Sequence, residues 1–208
     1  MRKQLQLRAS AFPKLLWLML LALLPTQLSA RDFEYTYEGQ TLTYTVLNEE
    51  AKTVQTKAGV YSSGTATPGN SVSGILNIPA NVTDESGEQF TVTQIGQNGF
   101  PKCEITEIHF PETLTQIRDY AFQDCNQLEE VSLPSSLTTL HNGVFQTASA
   151  LKSVRFEYSE LNLTLGNNVF QNAPIESIYY GRNVNLDKVV SERSSLKSIE
   201  ISDSLTKI

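Results

Sequence analysis

Positive charge, histidine, cysteine and long apolar runs are all scarce in this chain, and each shortage removes a class of function. The charges in residues 1–30 are all basic (Arg2, Lys3, Arg8 and Lys14), which leaves residues 31–208 with 12 Lys and Arg against 22 Asp and Glu. The body therefore carries a formal net charge of −10, against −6 for the whole chain. Nucleic acid is a poor partner for such a body, because basic side chains must displace counterions from the phosphates. Anionic lipid surfaces repel it as well. The two histidines stand apart, His109 between Ile108 and Phe110 on an alternating segment and His141 in a turn. Neither has the cysteine or carboxylate spacing of a metal set or a catalytic triad. Two cysteines, Cys103 and Cys125, are too few for a structural zinc site. Neither Gly-x-Ser-x-Gly nor His-Glu-x-x-His occurs. The acid pairs Glu49–Glu50, Asp84–Glu85 and Glu129–Glu130 are sequence neighbours, which a strand sends to opposite faces. The acidic turn at 84–88 lacks the alternating ligands of a calcium loop. No catalytic, cofactor-binding or metal-binding residue is assigned, and the expectation is a protein that is not an enzyme.

No apolar run exceeds ten residues, and the one that reaches ten, LLWLMLLALL at 15–24, follows a basic segment and precedes a short tail ending in Ser29 and Ala30. That order is a secretory signal peptide, and ten residues fall well short of the roughly 20 that span a bilayer. Cleavage after Ala30 is expected. No membrane span remains in the mature chain, which points to a secreted or cell-surface protein.

What is present is a repeat. ITEIHF at 105–110, LEEVSL at 128–133, LKSVRF at 151–156, IESIYY at 175–180 and LKSIEI at 196–201 share one apolar pattern, with starts 23, 23, 24 and 21 residues apart. A second signal follows: Ile95, Ile117, Leu140 and Leu165 each precede a phenylalanine by five residues, at Phe100, Phe122, Phe145 and Phe170. The alternating end of each motif reads as a short strand with one buried face. Pro111 and Pro134 end the first two complete strands, since proline cannot extend a ladder. The chain then returns with Ile and Phe inward, and stacked coils bury a continuous column that no single coil could bury. The expected fold is mainly β, a leucine-rich-repeat solenoid of parallel strands.

The unit L-x-x-[IV]-x-[IFL]-P-x-x-[LV]-x-x-[IL]-x-x-x-[AV]-F-x-x-[CA] resembles the repeat of BspA-like bacterial surface proteins, also called the Treponema pallidum type. LEEVSLPSSLTTLHNGVF at 128–145 is the closest copy, and the resemblance covers about residues 73–208. The Ile-Gly pair common in the family survives only at Ile95–Gly96 and Leu165–Gly166; the later copies lose the proline, and the copy starting at Ile175 lacks the phenylalanine. The resemblance implies a bacterial surface protein, adhesive toward host matrix or other cells.

A partial first copy comprises Leu76, Ile78, Pro79 and Val82, followed by a ten-residue excess around 83–91 that reads as a turn. Residues 31–72 do not repeat. FEYTY at 33–37 and LTYTV at 42–46 form a hairpin by alternation, 51–60 supplies a further strand, and 62–70 is a loop by composition. The domain reading is thus a signal peptide at 1–30, an N-terminal β cap at 31–72 and five to six coils at 73–208, the last incomplete. Cys103 and Cys125 lie one coil apart in an oxidising compartment, but two and three residues ahead of their strands. That offset favours two buried thiols over a disulfide.

With no chemistry to assign, the candidate site is a surface. The outward strand positions form two columns, Glu107, Glu130, Ser153, Ser177 and Ser198 beside His109, Ser132, Arg155, Tyr179 and Glu200. A rigid sheet presents such columns to a partner without an ordering cost, and Tyr and Arg are enriched at binding hot spots. The expected function is binding of a protein or host or cell-surface macromolecule; the alternative is a structural spacer in a longer surface protein. Residues 196–208 reproduce only the first part of a repeat, so the expectation is either a fragment of a longer repeat protein or an uncapped end covered by self-association.

Overall fold

The prolines decide where each coil turns. In the computed structural model, which describes residues 31–62, 65–185, 187–190, 195–203 and 205, strands stop just before them. The elements in chain order are β1 (Asp32–Tyr37), β2 (Gln40–Asn48), β3 (Thr53–Thr56), β4 (Val60–Ser62), β5 (Thr65–Thr67), β6 (Ser73–Asn77), β7 (Asn81–Thr83) and β8 (Gln89–Ile95). Then come β9 (Glu104–His109), β10 (Gln116–Ile117), β11 (Glu130–Leu133), β12 (Thr139–Leu140), β13 (Ser153–Leu165), β14 (Ser177–Val184), a one-turn helix α1 (Asp187–Val190) and β15 (Ser198–Ile201). Pro79, Pro111 and Pro134 follow β6, β9 and β11 within two residues. Where proline is missing after Phe156, β13 instead runs 13 residues around the corner. It pairs with β11 and β14 at its start and with β12 at its end, through Thr164 and Leu165.

Two ladders result, both parallel. β8, β10 and β12 stack in register at Gln94, Gln116 and Thr139 and at Ile95, Ile117 and Leu140. β11, β13, β14 and β15 form the other, with Val131, Val154, Ile178 and Ile199 in one row. β9 stands apart from this second ladder and pairs with β6. It bulges there, since Gly74 faces Ile105 and Ile75 faces Glu107, leaving Thr106 over. A bulge adds twist and breaks the local ladder, and no β9–β11 pairing occurs among the described residues. The five expected outward strands therefore divide into one and four.

The N-terminal strands β1, β2 and β3 form an antiparallel meander whose last strand joins β8 in parallel, so they extend the first ladder at its edge. The 83–91 excess is more than a turn: β7 and β8 form an antiparallel hairpin around it, with Val82 and Phe90 paired and buried. The 62–70 segment also departs from the loop expectation. Thr65, Ala66 and Thr67 pair with Ser62, Tyr61 and Val60, because β-formers alternate on both arms.

Inside the coils, Phe100, Phe122, Phe145 and Phe170 are fully buried and stacked. Their ring centroids are 5.4, 5.5 and 5.6 Å apart and their planes within 8° of parallel. Phe110 and Phe156 pack edge-on against the column. The turns carrying these rings are ladders too. The residues two before and two after each phenylalanine have positive φ: Asn98, Tyr120, Gly143 and Asn168, then Lys102, Asp124, Thr147 and Asn172. In the first three coils each of these donates its N–H to a carbonyl of the following coil, as Tyr120 does to Asn142 and Thr147 to Gln171. Left-handed backbone thus aims the amides along the stack. At Gly143 a side chain is also excluded by contact, since a Cβ would lie 2.4 Å from the Tyr120 ring.

Cys103 and Cys125 are joined by a disulfide, which corrects the buried-thiol expectation. The phenylalanine column, not the strand, sets the register of this pair. Both cysteines lie three residues after a phenylalanine of the column, Phe100 and Phe122, so they share a register and their Cα atoms are 4.9 Å apart. Ala148 and Ala173 continue the same column. In the coil without phenylalanine, α1 contributes the buried Val189. Residues 1–30 and Ile208, on which the signal-peptide reading and part of the chain-end reading rest, lie outside the described residues. Leu205 packs on the core, while Ile199 and Ile201 of β15 are 43% and 44% exposed.

Replacing Phe122 or Phe145 by Ala should each cost about 3–5 kcal/mol, from the lost ring and the cavity it leaves. Chemical denaturation reads this directly, and wild-type midpoints in both variants would contradict the column. Thr147 is a β-branched residue held at φ 57°. Thr147→Gly should raise stability by roughly 0.5 kcal/mol, because relief of about 1–2 kcal/mol of left-handed strain exceeds glycine's entropy cost of about 0.5–1 kcal/mol. A lower midpoint than wild type would refute the strain.

Candidate functional site

The four-strand ladder places eight of the ten candidate residues together. Rungs between neighbouring strands align Glu130, Ser153, Ser177 and Ser198 in one row and Ser132, Arg155, Tyr179 and Glu200 in the next. Both rows lie outward because Val131, Val154 and Ile178, between them, point into the core. At about 4.8 Å per strand each row spans about 14 Å. These eight residues, with Val131 and Ile178, line a shallow groove of about 240 Å³. That is smaller than the roughly 300–1,000 Å³ of small-molecule sites, so the groove suits a protruding segment of a larger partner.

Its centre is organised around Arg155. The guanidinium carbon lies 3.6 Å from the centroid of the Tyr179 ring, a cation–π contact. Arg155 Nε donates to Glu157 Oε1 at 2.7 Å, and Ser132 Oγ donates to the same oxygen at 2.7 Å. Glu157 thus holds the arginine over the ring. Sequence reasoning passed over Glu157, although its place two residues after Arg155 on an alternating strand puts it on the same face. Ser153, Ser177 and Tyr179 are half-buried, and Glu130, Ser132, Arg155, Ser198 and Glu200 are exposed.

Glu107 and His109 fall outside the groove, on β9. There the exposed His109 ring sets Nε2 2.6 Å from Glu107 Oε1 and Nδ1 2.6 Å from Asn77 Oδ1. His141 is half-buried beside Gln116, and burial lowers its pKa. Among the described residues no three His, Cys, Asp or Glu side chains are grouped to hold a metal ion, and no helix is long and apolar enough to cross a membrane.

Residues 85–188 match the model of the BspA-type leucine-rich-repeat region in six copies. The chain belongs to the BspA-type leucine-rich-repeat family. A leucine-rich-repeat protein from Bacteroides capillosus has the same fold, with a TM-score of 0.50 and 20% identity over 77% of this chain and 94% of its own. A leucine-rich-repeat protein of Treponema pallidum is similar at a TM-score of 0.47 and 20% identity, over 67% of this chain and 69% of its own. The pneumococcal vaccine antigen PcpA is similar at a TM-score of 0.39 and 20% identity, over 76% and 51%. No curated protein sequence matches. In this BspA-type chain the copies fall on stacked coils, and the candidate columns are the outward positions of the repeat itself.

The acidic turn at 84–88 is engaged by its own chain. Asp84 Oδ1 accepts from the Ser86 hydroxyl at 2.6 Å and from the amides of Ser86 and Glu88 at 2.9 Å each, and Oδ2 accepts from Arg31 at 2.6 Å. The Ser86 hydroxyl, followed by the Arg31 guanidinium, holds this carboxyl well below the usual carboxylate range. A depressed folded-state pKa stabilises the fold above the unfolded value of about 3.9 and loses that contribution as pH falls through the folded value. Asp84→Asn should therefore melt below wild type at neutral pH, with the gap closing only below about pH 4. Melting curves from neutral pH downward check this, and a gap independent of pH would contradict it.

Proposed function

We propose that this BspA-type chain is an exported surface module that binds a protein partner through the four-strand groove and performs no catalysis. In this reading residues 1–30 direct export and are removed after Ala30, residues 31–72 shield the first coil, and the coils carry the interface. The observation that supports it most is the Arg155–Tyr179 stack braced by Glu157. Two hot-spot residue types are thereby pre-ordered on a rigid ladder, which lowers the entropic cost of binding. The sites around it are mostly serines, small enough to let a partner approach the sheet closely. Adhesion to host matrix or to other cells is the activity that the family membership favours.

Surface-immobilised extracellular-matrix proteins and whole-cell surface extracts should capture the purified chain. Tyr179→Ala and Arg155→Ala should each weaken capture by about tenfold or more, the scale of a hot spot. Capture that both variants leave unchanged would remove the groove from the function. A chain that binds none of these surfaces would act as a spacer instead.

A further inference from the structure

We propose that a second site, the cleft between the β4–β5 hairpin and the phenylalanine-bearing turns, binds a neutral saccharide. The hairpin is fixed over the first turn by backbone bonds from Gly59 to Gln97, Gly69 to Asn98 and Asn70 to Gly99. This holds Tyr61 across from Tyr120 over a cleft of about 390 Å³, completed by Gln97, Asn98, Gln123 and Gln146. The size falls within the small-molecule range that the strand groove misses. The two sites share no residue.

The lining is specific in kind. Tyr61 is 64% exposed and Tyr120 37%, so two phenol rings face solvent across a concave surface. An aromatic ring with an apolar face and a polar tip suits the C–H face of a pyranose ring. The other four lining residues are amides, each able to donate and accept, as sugar hydroxyls also do. All six are uncharged, which favours a neutral ligand in an otherwise acidic body.

Asn98 Oδ1 adds a second observation beneath the lining. Asn98 is only 2% exposed, and this oxygen has no hydrogen-bond partner among the described residues. A buried acceptor left unmet is costly, and buried polar groups are as a rule satisfied. Asn98 belongs to the cleft lining, and a small turn of its side chain toward the opening would let a seated hydroxyl supply the missing donor. The same residue is held at φ 47° by its place two before Phe100, so its orientation belongs to the coil geometry. A peptide added as a strand is the poorer fit, because that mode needs an open strand edge and this lining is made of side chains.

Saturation-transfer NMR and calorimetry on the chain with neutral tetrasaccharides of β-1,4-glucose, α-1,4-glucose, β-1,4-mannose and β-1,4-N-acetylglucosamine test the proposal, with a Gly/Ser peptide alongside. At least one saccharide should bind, and Tyr61→Ala should weaken it about tenfold, the scale of one lost ring contact. Tyr120→Asn, which keeps a residue tolerant of positive φ, should do the same. Melting curves identify any variant that fails to fold, and Tyr61, being exposed on the hairpin, keeps the test valid if Tyr120→Asn does fail. No saccharide binding at concentrations up to about 10 mM, or affinity unchanged in both folded variants, would overturn the site. Binding of the peptide in place of every saccharide would overturn it too.

Discussion

Everything else in this molecule hangs from four phenylalanine rings stacked face to face. Their 5.4–5.6 Å spacing sets the rise from coil to coil, close to the roughly 4.8 Å that strand pairing requires. Aromatic rings prefer an offset stack, and a nearly parallel column at this separation is such a stack. The backbone around each ring is bent into left-handed conformations two residues to either side, so the amides of the turns bond along the stack. Core packing and backbone satisfaction thus reinforce each other at the same positions. Tyr120, Asp124 and Thr147 accept a strained φ there because three bonded coils over-determine the turn.

The strands inherit their alignment from that column, and proline decides how they use it. Pro111 and Pro134 cut strands short and separate the two ladders in the early coils. With no proline after Phe156, β13 passes from one ladder to the other and fuses them. The corner it turns is filled by Arg182, fully buried, which donates to the carbonyls of Pro134 and Leu161. The flat run of serines, Arg155 and Tyr179 lies on the half of the molecule where the ladder is longest.

Much of this was legible in the sequence because a repeat reports the same physics several times. The apolar spacing located the strands, and the Ile-to-Phe interval located the column. What escaped was local or one-off. The bulge at Thr106 leaves no mark in a pattern that still reads ITEIHF. The cysteine pairing follows distance to a phenylalanine, which the strand pattern does not report. Positive φ at Tyr120 and Thr147 has no compositional signal, since neither residue type favours it. Of the candidate face, four of the five strands in each column were readable, but the departure of β9 and the grip of Glu157 on Arg155 needed coordinates.

The disulfide has a mechanical meaning. A parallel solenoid pulled from its ends peels coil by coil, because each coil is held only by its neighbours. The Cys103–Cys125 bond closes a loop of 22 residues, nearly one whole coil. Under tension that loop is bypassed, and about 75 Å of contour length, at roughly 3.4 Å per residue, is withheld from extension. The coil inside the loop cannot be drawn out while the bond is intact. A stretched molecule would keep a short folded knot beside its N-terminal strands, and tension would unravel the distal coils first.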